Sequence, residues 1–402
     1  MTPASPAVSR EDAPRFFEAR IALLFCAPLI VNGVAMPFLP VWLHGLSLSD
    51  NEIGILLGLP MFIRVLTAPV AGIIADRIRE RAHVLIVSAV LALAMALSLF
   101  HTHSFLAILI VYGLHQAVFS PYLPITEAIT LTGVRRWRYD YGRMRFWGSL
   151  AFIGATMVGG VLIGRHGGDV VLPMMAVGCF LMIVTALLAP RVGRPRQPTP
   201  LAGLASPPAR ALRQFDLQLL MLGVALVNGS HAMLFAFSAI YWQEIGFSGT
   251  AIAVLWSAGV FAEVLVFIFA RALLLRFSLW TMIFTGCFLA VLRWILFPHD
   301  LGFPGYFVLQ CFHAFTFATM HVGMQNMLVR RVAEQQEASA QGLYFFYNGS
   351  FTALLTLVSG SLFALYHVQA FYMMSVVAAV GCGLALCGWR LRPGRNTVPL
   401  PT

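Results

Sequence analysis

The chain has 402 residues, of which 59% are apolar and only 10% charged, with a formal net charge of +10. So much apolar surface cannot be hidden in one core surrounded by water, so the solvent for most of the chain is expected to be lipid, with little chain left for any soluble domain. Nor does the positive charge point to nucleic acid: every basic residue is an arginine, and the arginines fall in short stretches between apolar runs instead of forming a basic face.

Residues 1–15 are Pro-rich and polar with mixed charge, and form a tail. The apolar run behind them continues too far for a cleaved signal sequence, so the first helix is expected to remain in the mature protein. A helix of about twenty apolar residues crosses a hydrocarbon core of roughly 30 Å. Such runs fall at about 16–44, 51–74, 83–100, 104–130, 144–164 and 170–190. The stretch 191–214 breaks the pattern with Pro195, Pro198, Pro200, Pro207 and Pro208 among arginines and small residues, and reads as an exposed cytoplasmic linker. Six more runs follow at about 215–243, 250–275, 279–297, 304–329, 340–366 and 369–389, before a tail over 390–402. The expected fold class is all-α and integral to the membrane. It has about twelve transmembrane helices in two pseudo-symmetric bundles, 16–190 and 215–389, the arrangement of transporters whose substrate site lies between their halves.

An even number of spans puts both ends of the chain on one side. Arg77, Arg79 and Arg81 follow the second run, Arg135, Arg136 and Arg138 the fourth, and Arg191, Arg194 and Arg196 the sixth. Arg271 and Arg276, Arg330 and Arg331, and Arg390, Arg392 and Arg395 fall on the same side, whereas the opposite loops carry Asp50, Glu52, Asp169, Glu244 and Asp300 with Arg165 as their only arginine. Since basic loops stay inside, both termini are expected in the cytoplasm. The six cysteines, Cys26, Cys179, Cys287, Cys311, Cys382 and Cys387, lie singly in apolar runs without zinc-site spacing. Free thiols, no metal and no cofactor are expected. Neither a P-loop nor a His-Glu-x-x-His pattern occurs, which argues against an ATP-driven pump and an intramembrane zinc hydrolase.

The segment GIIADRIRER, from Gly72 to Arg81, resembles the loop motif between the second and third spans of the major facilitator superfamily. MPFLPVWLHGL at Met36–Leu46 and YGRMRFWGSLAF at Tyr141–Phe152 are similar to parts of the lactose permease group and its bacterial phenylpropionate-transporter relatives. The latter also resemble FSAIYWQEIGFS at Phe237–Ser248, WSAGVFAEVLVF at Trp256–Phe267, VLRW at Val291–Trp294 and the region of His313. The resemblance covers most of the chain. It implies proton-coupled uptake of a small organic solute in a bacterial inner membrane, with an aromatic carboxylate first and a sugar, a nucleoside or an exported metabolite as alternatives. The expected partners are that small-molecule substrate, protons and the lipid bilayer, and a monomer is expected.

An ionisable group near the centre of a membrane helix costs roughly 2.5–3.5 kcal/mol, so each one is a candidate functional residue. Glu127 and Arg145 flank the fourth loop at similar depth, so the hairpin of the fourth and fifth spans lets them face each other. The resemblance implies substrate binding by this pair, and a structural ion pair is the competing reading. Arg64 stands roughly 20 Å from the outer end of the second span, too deep to reach the headgroups easily. Its planar fork suits a carboxylate, which the resemblance to phenylpropionate transporters also implies, and pairing with an acidic residue is the alternative. Asn32 in the first span is a further substrate-binding candidate.

Glu263, Arg293 and His313 in the second half can converge on one polar cavity, where a carboxyl with a movable arginine partner takes up and releases a proton. The resemblance implies proton coupling for these three, with a bracing or substrate-binding role for Glu263 as the alternative. It fails at one place: three residues after the histidine, where the lactose permease has an acid needed for proton release, this chain has Thr316. Gly72, Asp76 and Arg77 of the loop motif are gating candidates, a topological role being the alternative. Tyr241, Trp242, Trp256 and Tyr344 to Tyr347 either wall an aromatic substrate or pack helices.

Overall fold

A computed structural model describes residues 13–77, 80–193, 214–332 and 337–392. Most of the expected linker and tails therefore lies outside the described residues, as do the side chains of Gly72, Asp76 and Arg77, whose backbone continues the second helix. Among the described residues every regular element is a helix. They are α1 (Phe17–Gly45), α2 (Asp50–Arg77), α3 (Arg81–Leu99), α4 (Phe105–Phe119), α5 (Tyr122–Trp137), α6 (Tyr141–His166), α7 (Val171–Leu187) and α8 (Phe215–Gly229). There follow α9 (Ala232–Glu244), α10 (Gly249–Ile268), α11 (Ala270–Arg276), α12 (Leu279–Leu296), α13 (Gly302–Cys311), α14 (Met320–Arg331), α15 (Glu337–Tyr366) and α16 (Phe371–Leu391).

Ten helical stretches among the described residues are long and apolar enough to cross a membrane. The longest, Ala340–Leu391, holds both α15 and α16, while α2 stands outside the ten. With no water to satisfy the backbone in hydrocarbon, each span must close its own hydrogen bonds, which a helix does. Large apolar side chains such as Leu66, Leu106, Leu275 and Phe288 stand exposed, as a surface solvated by lipid requires.

The chain divides into two compact units, Met1–Leu46 with Ile63–Pro200, and Ser47–Phe62 with Leu201–Thr402. In the first unit α1 packs on α6 and α7, and α3 on α4 and α7. The run expected at 104–130 is two helices, because Pro121 lacks the N–H that a continuous helix would use and α5 starts again behind it. Arg135 and Arg136, expected in a loop, form the last turn of α5. Arg20 of α1 donates to the carbonyls of Leu188 at 2.5 Å and Ala189 at 3.0 Å, satisfying the open end of α7.

In the second unit α8 packs on α16 and α15, and α12 on α16 and α14. Gly223 and Gly381 let α8 and α16 touch backbone to backbone: a Cβ on Gly223 would lie 2.5 Å from the Gly381 carbonyl oxygen. The same device joins the start of α2 to α15, where a Cβ on Gly54 would lie 2.7 Å from Gly360 Cα. That crossing explains why Ser47–Phe62 cluster with the second unit, although chain order alone puts all of α2 in the first bundle.

Candidate functional site

Both units carry ionisable side chains within their helices. In the first, Arg64 lies midway along α2, about 20 Å from its first residue. It keeps accessible surface and interacts electrostatically with the Tyr112 hydroxyl group, which accepts a 2.7 Å hydrogen bond from Gln116 Nε2. Among the described residues no carboxylate pairs with Arg64. One turn on, Thr67 Oγ1 is 3.0 Å from Ser120 Oγ, at the break between α4 and α5.

Asp140 caps α6 by accepting from Arg143 N–H at 2.7 Å, so Tyr141 and Arg145, four residues apart, share a helical face. Glu127 of α5 and the Tyr141 hydroxyl both interact electrostatically with Arg145. The Arg145 guanidinium lies 5.3 Å from the Phe25 ring centroid, a cation–π contact. Its Nη1 is buried without a hydrogen-bond partner among the described residues. A buried donor left open is costly unless something else fills it. Asn32 is half-buried on α1 and makes no hydrogen bond among the described residues, so it does not join this group.

In the second unit three side chains form a continuous chain. His313 Nε2 is 2.7 Å from Glu263 Oε1, and His313 Nδ1 is 3.1 Å from Arg293 Nη1. A guanidinium can only donate, so Nδ1 must accept, and the ring proton sits on Nε2, directed at Glu263. The geometry thus holds a neutral histidine between a cation and an anion. Arg293 is fully buried, bonds Gln310 Oε1 through Nη2, and stacks 4.8 Å from the Trp294 ring. Trp294 in turn donates from Nε1 to Ser230 Oγ at 2.8 Å.

The backbone around this chain is interrupted twice. α8 stops at Gly229, which Phe351 and Leu355 of α15 crowd, and α9 begins after His231. A π-helical turn over Ala314–Thr319 separates α13 from α14, and such turns recur at functional sites. His231, at the first interruption, directs Nδ1 at the carbonyls of Val227 and Asn228, each 3.2 Å away, and Nε2 at Thr316 Oγ1 on the π turn, 2.9 Å away. Thr316, noticed only for the acid it lacks, is therefore engaged. Sequence reading passed over His231, Gln310, Tyr112 and Tyr141. The available signal for His231 was a polar Asn-Gly-Ser-His run inside an apolar span.

Of the aromatic candidates, Tyr241 bonds Tyr306 Oη at 3.1 Å and Trp242 is buried against Phe297 and Tyr306, so both pack helices. Tyr344 is buried on Asn228 and Tyr347 donates to Gln218 Oε1 at 2.8 Å, while Phe345 and Phe346 are exposed. Trp256, 6.0 Å from the Phe235 ring, keeps a buried Nε1 with no partner among the described residues.

Apolar helices long enough to span a membrane, with ionisable groups set within them, belong here to a multi-pass membrane transporter rather than an enzyme. More particularly, the chain belongs to the MFS_1 like family, whose pattern matches residues 23–374. It is similar to the probable 3-phenylpropionic acid transporter of Escherichia coli (strain K12), 30% identical over 373 residues that cover 89% of this chain and 94% of the relative. It is also similar to the maltose permease of Geobacillus stearothermophilus, 26% identical over 87% of this chain and 89% of the relative. Among solved structures, the nucleoside transporter NupG has the same fold, with a TM-score of 0.77 at 15% identity over 94% of this chain and all of that one. So does a bacterial homologue of the lysosomal transporter Spinster, with a TM-score of 0.74 at 15% identity over 96% of this chain and 98% of that one.

Proposed function

We propose that this transporter takes up a small aromatic carboxylate, of the 3-phenylpropionate kind, together with a proton by alternating access. Arg64 carries the proposal: a guanidinium at mid-helix, without a carboxylate partner among the described residues, has a fork free to donate two parallel hydrogen bonds to a substrate carboxylate. Tyr112, held by Gln116, stands beside it as a further donor. Similarity to the probable 3-phenylpropionic acid transporter of Escherichia coli supports this substrate class. Arg145 offers its open buried Nη1, with Glu127 and Tyr141 keeping the guanidinium oriented.

Proton coupling is given to Glu263, His313 and Arg293. An ionised Glu263 accepts the His313 Nε2–H and balances Arg293, and protonating it removes the charge balance and weakens the hydrogen bond. The motif residues Gly72, Asp76 and Arg77, at the end of α2, serve as a gate between the alternating states. We place the transporter as a monomer in a bacterial inner membrane with both termini inside, following the arginine bias. A sugar is the second reading, supported by the maltose permease relative and by Glu127, Tyr141 and Arg145, which together offer acceptors and donors to hydroxyl groups.

The test is uptake of labelled 3-phenylpropionate into proteoliposomes with an alkaline interior, with maltose and uridine as competitors. Accumulation that follows the gradient and resists both competitors is expected. Failure to take up any aryl carboxylate would overturn the substrate, and accumulation indifferent to the gradient would overturn the coupling.

A further inference from the structure

We infer that His231 is a second proton station, linked through Thr316 to the chain of Glu263, His313 and Arg293. The inference rests on the symport reading above and extends it to a residue outside the three coupling candidates. Carbonyl oxygens only accept, so His231 Nδ1, 3.2 Å from those of Val227 and Asn228, must carry a proton. In the neutral ring Nε2 is then bare, and its lone pair faces Thr316 Oγ1 at 2.9 Å. The imidazole is fully buried, yet both nitrogens are engaged, so it is held in one orientation.

Thr316 suits either charge state of that ring. While His231 is neutral, the Thr316 hydroxyl donates to Nε2. When a proton adds to the Nε2 lone pair, the new N–H donates to Thr316 Oγ1, and the hydroxyl hydrogen turns to the His313 carbonyl oxygen, 3.5 Å away. No covalent bond to carbon or oxygen breaks, and release of the proton restores the first arrangement. An acid at position 316 would hold the proton itself; a threonine hands that task to the histidine opposite.

Among the described residues, His313, with ring centroids 5.1 Å apart, and Arg293 on α12 are the charged or titratable groups that act on His231 from packed elements. Glu263 on α10 stands behind His313. Arg293 repels a proton on His231 unless Glu263 is ionised to balance it. A proton on Glu263 therefore excludes one on His231, and the two stations alternate. His313 stays neutral throughout, because its Nδ1 must accept from Arg293.

Two measurements on the full chain test this. In wild-type protein, deuterium uptake at the imidazole Cε1 of His231, followed by mass spectrometry across pH, is expected to give a sigmoid profile that Glu263→Gln displaces. In proteoliposomes, His231→Gln keeps a hydrogen-bonding group but cannot hold the proton. Gradient-driven accumulation of 3-phenylpropionate is expected to fall about tenfold or more, while exchange at equal pH stays within about threefold. Thr316→Val is expected to act in the same direction. Equal losses of exchange and accumulation, or a flat deuterium profile, would overturn the assignment. So would a His231→Gln protein that remains coupled. Wild-type accumulation that ignores the gradient would instead overturn the symport reading itself, whatever the deuterium profile.

Discussion

Replacing Glu263 with Gln leaves the fully buried Arg293 without its anion, and replacing Arg293 with Gln removes the cation that Glu263 balances. The double variant removes both charges. With 2.7 Å from Glu263 to His313 and 3.1 Å from His313 to Arg293, the path through the imidazole sets the two charges about 8 Å apart at most. At an effective dielectric constant of about 20, Coulomb's law gives an attraction of about 2 kcal/mol at that distance. The two single losses should therefore exceed the loss in the double variant by about 2 kcal/mol, well outside the roughly 0.5 kcal/mol scatter of independent sites. Urea or SDS unfolding of purified protein, followed by tryptophan fluorescence, measures all four corners of the cycle; Trp294 packs directly on the Arg293 guanidinium. Additive losses would show that Glu263 and Arg293 do not form one electrostatic unit. No transport activity enters this test, so it holds whatever the substrate.

Arg64→Gln should weaken 3-phenylpropionate binding by about 3 kcal/mol, or about a hundredfold in Kd by calorimetry, since two charge-assisted hydrogen bonds at about 1.5 kcal/mol each are lost. Arg64→Lys should recover part of that, because the charge remains and the fork does not. Arg145→Ala should abolish uptake in proteoliposomes while leaving the thermal unfolding midpoint within a few degrees, and an unchanged uptake rate would remove Arg145 from the binding group. Glu263→Gln should lose gradient-driven accumulation yet retain exchange at equal pH. Gly223→Val should destabilise the second unit by about 1–3 kcal/mol, as overpacking does, because its Cβ would lie 2.5 Å from a carbonyl oxygen of α16.

The apolar spans and the charges within them were legible in the sequence because lipid makes both conspicuous: a run of twenty apolar residues and an isolated arginine stand out against their neighbours. Contacts across the chain were not. Gly54 and Gly360 are ordinary glycines in any window of sequence, and only their meeting shows why the first turns of α2 cluster with the second unit. Thr316 shows the same limit from the other side. Its sequence position revealed which acid was missing, but His231, which faces it, lies 85 residues away. Pro121 was visible, yet averaged hydropathy joined α4 and α5 into one run across it.

In both units the polar groups gather where a helix is interrupted, and the physics makes the two features inseparable. A break in a membrane helix frees backbone groups that have no water to bond, so nearby side chains must satisfy them. At the end of α8, Ser230 Oγ donates back to the Val227 carbonyl at 2.6 Å, and His231 Nδ1 bonds the same carbonyl. That duty fixes which nitrogen of His231 stays protonated, and so leaves the other free for chemistry with Thr316. At the break between α4 and α5, Ser120 Oγ plays the corresponding part by donating to the Ala117 carbonyl at 3.4 Å, and it also meets Thr67, one turn beyond Arg64. A buried charge needs polar company and a broken helix supplies it, so the cost of each interruption is offset by the groups it orients. His231 and Thr316 therefore draw their orientation from backbone defects that averaged hydropathy passes over.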